Sequence, residues 1–421
     1  MLRTTIDAAS RAAAFSATLA VLTGCGDPAT TTCPPTWRLE SPGLGNPLTK
    51  GFVAGAESIF TNMNDPLASW STDRAHAVWR EVDRCGAVKR ERGPAPLGTL
   101  VDEAGLLRGV VVSAADGPAW GVPNGLGADP SDHVIFFGAT GEITRDLRVA
   151  RRDSLNVRAW WGGVLRAEVS LPNEGTGPPR LTLERDDGSP LWVHAIEPLP
   201  SMVIRASFGL AVGTRHALLV TYHVDPAGNR APRTVVDAVD RHGNSLWRHR
   251  VDNLPAHGIV ATTSDGGALV VGSRAYESAI RIGASGERLW EADPLHSPSF
   301  DSDLKLVVGA DDRALVAFET WRTSVPACGG HVPAAAGDGT AMTMVMGLDP
   351  QGNCAFIVPL GKSKFDGWVH GIHLRGDGGV TLSHEVRTTP STAAWRDQRS
   401  VSVLEATTWD DLVARSIPFP R

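Results

Sequence analysis

Asp240 to Val251 reads DRHGNSLWRHRV. The aspartate and glycine mark a tight turn, because Gly takes positive φ without steric cost and an Asp carboxylate caps nearby backbone N–H groups. Strand-like sequence lies on both sides of that turn, and a tryptophan stands four residues after the glycine. RDDGSPLWVHAI (Arg185 to Ile196) and GASGERLWEADP (Gly283 to Pro294) keep the same glycine and the same tryptophan. A chain that repeats one strand–turn–strand phrase is built from one repeated unit.

Working outward, glycines in equivalent positions are Gly86, Gly141, Gly188, Gly243, Gly286 and Gly352. Trp192, Trp247 and Trp290 follow three of them at the fixed spacing, Phe356 follows a fourth, and Arg90 and Arg145 follow the other two. Asp83, Asp240 and Asp349 stand three residues before their glycines. Apolar or alternating runs precede each turn, among them SDHVIFF, PRLTLER, RTVVDAV and TMVMGL. A second element recurs upstream as TSDGGALVVG (Thr263 to Gly272), RGDGGVTLSH (Arg375 to His384), GADDRALVAF (Gly309 to Phe318) and GTRHALLVTY (Gly213 to Tyr222). Each unit therefore supplies two hairpins.

Four antiparallel strands in a unit of about 40–55 residues is the pattern of a propeller blade. The repeats resemble PQQ-like propeller repeats and the seven-bladed β-propeller repeats of exported bacterial proteins. HGIVATTSDGGALVVGSRAYESAIRIGASGERLWEADPL (His257 to Leu295) carries the resemblance best. The expected fold is all-β, a β-propeller of about seven four-stranded blades with six to eight possible, over residues 51–421. Units fall near 51–94, 97–150, 158–198, 206–253, 257–295, 304–361 and 366–419. TWRLE (Thr36 to Glu40) is a candidate closing strand beside the last unit, which lacks the glycine motif. Trp192, Trp247, Trp290 and Phe356 are expected to be largely buried between blades, where a large flat side chain fills the widening wedge. Two stacked β-sandwiches are the alternative, and they explain the repeated tryptophan less well.

The 421 residues, 42% hydrophobic and 20% charged, exceed what one simple core supports and suit a repeat architecture. The 45 glycines and 29 prolines supply the turns such a fold needs. A net charge of −6 without a long basic run argues against nucleic acid as a partner. Arg3 and Arg11 followed by AAAFSATLAVL (Ala12 to Leu22) have the form of a signal peptide, too short to span a bilayer. Leu22-Thr23-Gly24-Cys25 resembles the lipobox of bacterial lipoproteins. That resemblance implies a signal peptide over 1–24, acylation of Cys25 and a membrane partner through the acyl chains. Two or more such chains anchor stably where one is marginal. Gly26 after the cysteine implies export to the outer membrane. Residues 25–50, rich in Thr, Pro and Gly, read as a flexible tether.

Cys33, Cys85, Cys328 and Cys354 remain, an even number that reads as two disulfides in an exported chain. Cys33–Cys85 with Cys328–Cys354 is favoured, since local loops close at the smaller entropic cost. The second pair sits at opposite ends of one strand, so the intervening insertion must fold back along the blade to join them.

No catalytic, cofactor-binding or metal-binding residue is expected. His370 and His373 point to opposite faces of one strand, although His384 on the neighbouring strand is placed to pair with one of them. The stretch from Asp225 to Asn229 and the pair Asp301 and Asp303 lack the full spacing of a calcium loop and read as turns. GxSxG, HExxH and P-loop patterns do not occur. Two Gly/Pro-rich insertions, 115–132 and 322–340, separate the second and third strands of their units and are candidate binding loops. The resulting expectation is a monomeric, non-enzymatic envelope lipoprotein that scaffolds or binds an envelope protein or glycan. The alternatives are an accessory lipoprotein resembling that of the outer-membrane barrel-assembly machinery, and an enzyme acting on envelope carbohydrate.

Overall fold

The computed structural model describes residues 33–43, 52–54, 58–64, 77–95, 98–101, 108–113, 131–137, 143–150, 156–161, 163–168, 178–185, 188–251, 258–272, 277–295, 304–320, 324–328, 330–333, 341–363, 369–375, 377–387 and 400–418. The chain divides into two units, Met1–Pro34 and Pro35–Arg421. The proposed signal peptide, Cys25, Gly141, residues 115–130, Asp301 and Asp303 lie outside the described residues.

All described strands belong to the second unit, which forms seven antiparallel sheets. The chain enters on β1 (Trp37–Gly43) and then lays down the sheets in order. Blade 1 holds β2 (Phe52–Ala54), β3 (Ser58–Asn64), β4 (Ala77–Asp83) and β5 (Val88–Ala95). Blade 2 holds β6 (Gly98–Val101), β7 (Arg108–Ser113), β8 (Ser131–Phe137) and β9 (Ile143–Ala150). In blade 3 these become β10 (Asn156–Trp160), β11 (Gly163–Glu168), β12 (Arg180–Glu184) and β13 (Pro190–Ala195). Blade 4 follows with β14 (Val203–Val212), β15 (His216–Val224), β16 (Arg233–Asp240) and β17 (Ser245–Val251). Blade 5 consists of β18 (Gly258–Thr262), β19 (Ala268–Gly272), β20 (Glu277–Ile282) and β21 (Arg288–Leu295). After β22 (Lys305–Val308) and β23 (Ala314–Thr320), the hairpin β24 (Ser324–Ala327) and β25 (Gly330–Pro333) interrupts blade 6. That blade resumes with β26 (Ala341–Leu348) and β27 (Cys354–Ser363). Blade 7 takes β28 (Val369–Leu374), β29 (Gly379–Arg387) and β30 (Ser400–Thr408), with a short helix α1 (Trp409–Ala414) after them.

Its fourth strand is β1, which pairs along its length with β30, Trp37 opposite Ala406 and Gly43 opposite Ser400. The innermost strands β2, β6, β10, β14, β18, β22 and β28 each contact the next, and β28 contacts β2. The ring is closed. Residues 37–43, expected to belong to a tether over 25–50, are instead a strand of the seventh blade, because a sheet edge left by β30 needs a partner for its backbone groups.

The hydrophobic core is divided into wedges between neighbouring blades. Leu165, Leu181 and Leu183 of blade 3 pack with Leu210, Leu219 and Val239 of blade 4. Val220, Val236 and Trp247 of blade 4 pack with Val260, Val270 and Ile280 of blade 5. Val82 of blade 1 packs with Leu404, Trp37 and Leu39 of blade 7. Middle strands are covered on both faces, so RTVVDAV is buried from Thr234 to Val239. Outer strands alternate, as in β17, where Trp247 and Val251 are buried and Leu246, Arg248 and Arg250 face solvent.

The repeated phrase now has a structural reading. In the turn before β17, Asp240 Oδ1 accepts from His242 N and Asn244 N, and Gly243 sits at φ +84°. Asp83 and Asp349 cap their turns the same way, with Gly86 and Gly352 at φ +86° and +84°. After each turn a bulge skips one residue, so that Ala238 pairs with Trp247 while Val239 pairs with Ser245. The skipped residues Leu191, Leu246 and Leu289 stay exposed, and the tryptophan after each is aimed at the next blade.

Each tryptophan lands on the turn glycine of its neighbour. A Cβ added to Gly243 would sit 2.8 Å from Trp192, one on Gly286 2.8 Å from Trp247, and one on Gly352 2.7 Å from Trp290. Trp37 occupies the same place over Gly86, joining blade 7 to blade 1. The indole N–H of Trp37, Trp192 and Trp290 donates to the carbonyls of Arg84, Arg241 and Pro350, each two residues before the covered glycine. Phe356 meets no glycine turn in blade 7; its ring stands edge-on to Trp409 of α1, 4.8 Å between centroids.

Burial is uneven. Trp247 is 7% exposed and Phe356 fully buried, whereas Trp192 and Trp290 are half-buried. Among the side chains expected to be largely buried, Trp247 and Phe356 are buried outright and Trp192 and Trp290 only in part. These last two lie over a turn at the end of the blade, where one edge of the indole remains in water. Trp247→Ala should cost about 3–5 kcal/mol, and Trp192→Ala or Trp290→Ala about 1–3 kcal/mol because part of the side chain is already solvated. A denaturant series checks this; equal losses for the three would contradict the docking geometry.

Candidate functional site

Because strands alternate in direction, the first-to-second and third-to-fourth turns of every blade share one end of the ring. The second-to-third connections and the crossovers between blades share the other, the loop face. Of the two insertions singled out in the sequence, 115–132 lies almost wholly outside the described residues, and 322–340 follows the second strand of blade 6. The second supplies β24 and β25, and Ala327 pairs with Leu295 at the end of β21, extending the sheet of blade 5. This is the fold-back that the Cys328–Cys354 bond requires, and the bond is formed, with Cα atoms 5.2 Å apart. Cys33 and Cys85 are each disulfide-bonded as well.

A cleft of about 490 Å³ opens on the loop face of blade 4. One wall is the crossover from blade 3, with Leu199, Pro200 and Met202. The β15–β16 connection supplies Asn229, Arg230 and Ala231, and the strands themselves supply Arg233 and Arg250. Three arginines thus line the cleft together with an apolar wall.

Local chemistry holds the wall in place. Met202 N donates to Leu199 O around a turn in which Ser201 adopts φ +62°, a conformation rare for a residue with a Cβ. Arg230 Nη1 donates to Pro200 O at 3.3 Å. Leu199 N donates to His223 Nδ1 at 3.1 Å, which leaves the imidazole proton on Nε2, where it donates to Thr221 Oγ1 at 2.9 Å. Burial, reinforced by the Arg248 charge, pushes the His223 pKa down to about 4. The ring is therefore neutral at ordinary pH, as accepting from Leu199 N demands.

The other candidates resolve as structure. Asp225 Oδ1 caps Ala227 N in a turn with Gly228 at φ +72°. His384 sits opposite Val369, and its Nε2 lies 3.7 Å from Glu405. Among the described residues no group of three or more His, Cys, Asp or Glu is arranged to hold a metal ion. In the upstream element, Gly266 and Gly378 take positive φ, and Asp312 takes φ +60° at the equivalent position. Asp312 accepts from Ser264 N and Oγ of the preceding blade, and Arg281 bridges it to Asp265. That element is an inter-blade clamp.

Sequence reasoning overlooked three features: Trp37 as a docking tryptophan, the arginine cleft, and a histidine two residues after the tryptophan. His194 Nδ1 donates to Gly243 O at 2.9 Å and His249 Nδ1 to Gly286 O at 2.8 Å, each to the glycine its own tryptophan covers. The W-x-H spacing in LWVH and LWRH was the available signal.

Comparison with solved structures agrees on the architecture. A prolyl endopeptidase is 17% identical with a TM-score of 0.51, over 91% of this chain and 48% of that enzyme. The chain is a β-propeller. It spans about half of the endopeptidase's length, and the likeness concerns fold alone. BamB from Moraxella catarrhalis is 12% identical, TM-score 0.39, covering 88% of this chain and 99% of that one. A protein of unknown function from Bacteroides caccae is 13% identical, TM-score 0.36, covering 59% and 78%. No protein-family model matches the chain, and no curated protein sequence matches it.

His223 links the cleft wall to pH. Between its unfolded pKa of 6.5 and its folded value of about 4, the unfolded chain binds a proton that the folded ring refuses. Stability from this group is present above pH 6.5 and declines as pH falls toward 4. His223→Asn keeps an acceptor for Leu199 N and does not titrate. The thermal midpoint of the wild type should fall more steeply across that window than that of the variant; parallel curves would contradict the assignment.

Proposed function

We propose that this protein is a non-enzymatic, lipid-anchored propeller of the bacterial cell envelope that binds a partner on its loop face. The observation that carries the reading is cysteine chemistry: Cys328–Cys354 is bridged, and Cys33 and Cys85 are bonded too. Disulfides persist in oxidising compartments, among them the bacterial periplasm and the cell surface. The sequence supports the anchor, with Arg3, Arg11, the apolar run to Leu22 and the lipobox-like LTGC ending at Cys25. Among the described residues no helix is long and apolar enough to cross a membrane, so acyl chains on Cys25 are the attachment in this reading. Gly26 after that cysteine favours the outer membrane.

The propeller suits binding because it fixes loops on a rigid ring. Each blade contacts its neighbour around the ring, so the loops between strands are carried on a rigid support. The partner in this reading is an envelope protein or glycan. Crosslinking in intact envelopes separates the possibilities. Barrel-assembly components among the products would favour the accessory-lipoprotein alternative, and enriched glycan would favour the carbohydrate one.

Metabolic labelling with an alkyne fatty acid tests the anchor. The wild type should be labelled and fractionate with membranes, and Cys25→Ser should lose both properties. An unlabelled wild type would refute acylation.

A further inference from the structure

We infer that the turn face of the propeller is a lipid-contact surface, which rests on the headgroup layer of the bilayer that carries the anchor. This rests on the reading of Cys25 as acylated and goes beyond it, leaving the loop face turned away from the membrane toward a partner.

Exposed apolar side chains gather at one end of the ring. Val88, Leu191, Leu246 and Leu289 follow the third-to-fourth turns of blades 1, 3, 4 and 5, each within three residues of the turn glycine. Trp161 lies in the first turn of blade 3, and Val413 lies in α1, which follows β30 where other blades make a turn. Of the exposed large apolar side chains among the described residues, only Val193 falls elsewhere, within β13. Scattered single residues of this kind are ordinary on a protein surface, but their collection on one face is informative. The bulge does not ask for leucine. Blade 6 carries Ala355 at the skipped position between Cys354 and Phe356.

Trp161 is the most unusual of them. Trp160 pairs with Gly163, so Trp161 stands in a two-residue hairpin turn, with φ +53°. Such a position favours Gly, Asn or Asp, and a tryptophan there works against local preference. Its neighbour Trp160 is buried and donates to Gly213 O at 2.8 Å. Trp161 turns the other way, its ring at 84° to that of Trp160, and is 47% exposed with the Arg241 guanidinium 5.0 Å from its centroid. A backbone outlier that holds an indole in water points to a use for the indole. An indole beside a cationic group suits the membrane interface, where an apolar ring and a polar edge are both accommodated.

The chain itself brings this face to the membrane. Trp37, where β1 begins, lies over Gly86 and donates to Arg84 O, so the N-terminal segment joins the propeller at the turn face. Cys25 is twelve residues earlier in sequence. Twelve residues span at most about 40 Å when fully extended. Reaching a bilayer beyond the loop face would consume about 23 Å of that on the seven-residue depth of β1 alone. The apolar side chains are also spread singly over five blades, which suits a planar lipid boundary better than the contiguous apolar centre of a protein interface. Charge does not supply the attraction, because exposed Glu287 and Asp311 are interspersed with Arg84, Arg241 and Arg288 on the same face.

The acylated protein, purified from membranes and placed in vesicles of phosphatidylethanolamine and phosphatidylglycerol brominated near the headgroup, tests the inference. Fatty-acid label and flotation read the anchor, whereas bromine quenching of tryptophan emission reads the turn face. Wild-type emission should be quenched in the floated vesicles and stay quenched as salt is raised. The combined variant Leu191→Ser, Leu246→Ser, Leu289→Ser should cut the quenched fraction at least twofold, and Trp161→Phe should lower it as well. These side chains are solvent-exposed, so the fold should persist; circular dichroism in unbrominated vesicles confirms a fair comparison. Labelled, floated protein without quenching, or equal quenching in wild type and both variants, overturns the inference and leaves the anchor standing. Absence of both label and flotation overturns the anchor and this inference together.

Discussion

An indole laid on a glycine joins blade 7 to blade 1 and links blades 3, 4, 5 and 6 in series. A blade by itself is a small twisted sheet that cannot bury both faces, so its stability depends on its neighbours. Hydrophobic wedges fill the space between blades, but a wedge is tolerant of sliding. The tryptophan is not, because it can approach the next blade only where a turn lacks a Cβ, and that place is one residue wide. An indole N–H aimed at the carbonyl two residues earlier adds direction at Trp37, Trp192 and Trp290. His194 adds a second bond at the Trp192 junction, and His249 bonds the glycine under Trp247, whose own indole N–H has no partner. Turn, bulge and tryptophan therefore form one device, and removing any part leaves the others without purpose.

Closure applies the same device across the ends of the chain. The seventh blade spends its C-terminal residues on α1 instead of a turn and a fourth strand, and β1 fills the vacancy with Trp37 over Gly86. The N-terminal residues thus serve a structural element before the first blade begins. Between blades 6 and 7 an aromatic contact takes the place of the docking tryptophan, with Phe356 against Trp409 and the Arg313 guanidinium 4.6 Å from the Trp409 ring. A helix presents side chains instead of a bare turn, so a ring-to-ring contact is what remains.

The repeat was legible because its constraints are local. Positive φ demands glycine, the cap demands aspartate, and four residues separate the turn from the docking side chain, so all three appear in one short phrase. Blade limits and the closing strand at Thr36 to Glu40 followed from that. What was not legible depends on residues distant in sequence. Trp37 has no glycine four residues before it, because its turn partner in the sheet is supplied by the other end of the chain. The cleft joins Leu199, Arg230 and Arg250, which no motif links. The turn at Asp312 hid its kinship with Gly266 and Gly378, because an aspartate took positive φ to reach Ser264 of the adjacent blade. The half-burial of Trp192 and Trp290 was also out of reach, since spacing gives the partner of a side chain but not how much of it remains in water.

Function is least visible where the scaffold is most regular. The repeated phrases explain the turn face almost completely, through caps, docking tryptophans and the Asp265–Arg281–Asp312 clamp. The loop face carries what the repeat does not require, and the arginine cleft is there. The central claim is that Trp37 on Gly86 closes the ring. Native-state hydrogen exchange of the full chain against Trp37→Ala tests it most directly. The account predicts that β1, β30 and the β4–β5 hairpin lose protection together, while β15 and β16 in blade 4 keep theirs. Loss confined to β1, with β30 and the first blade unchanged, would contradict it.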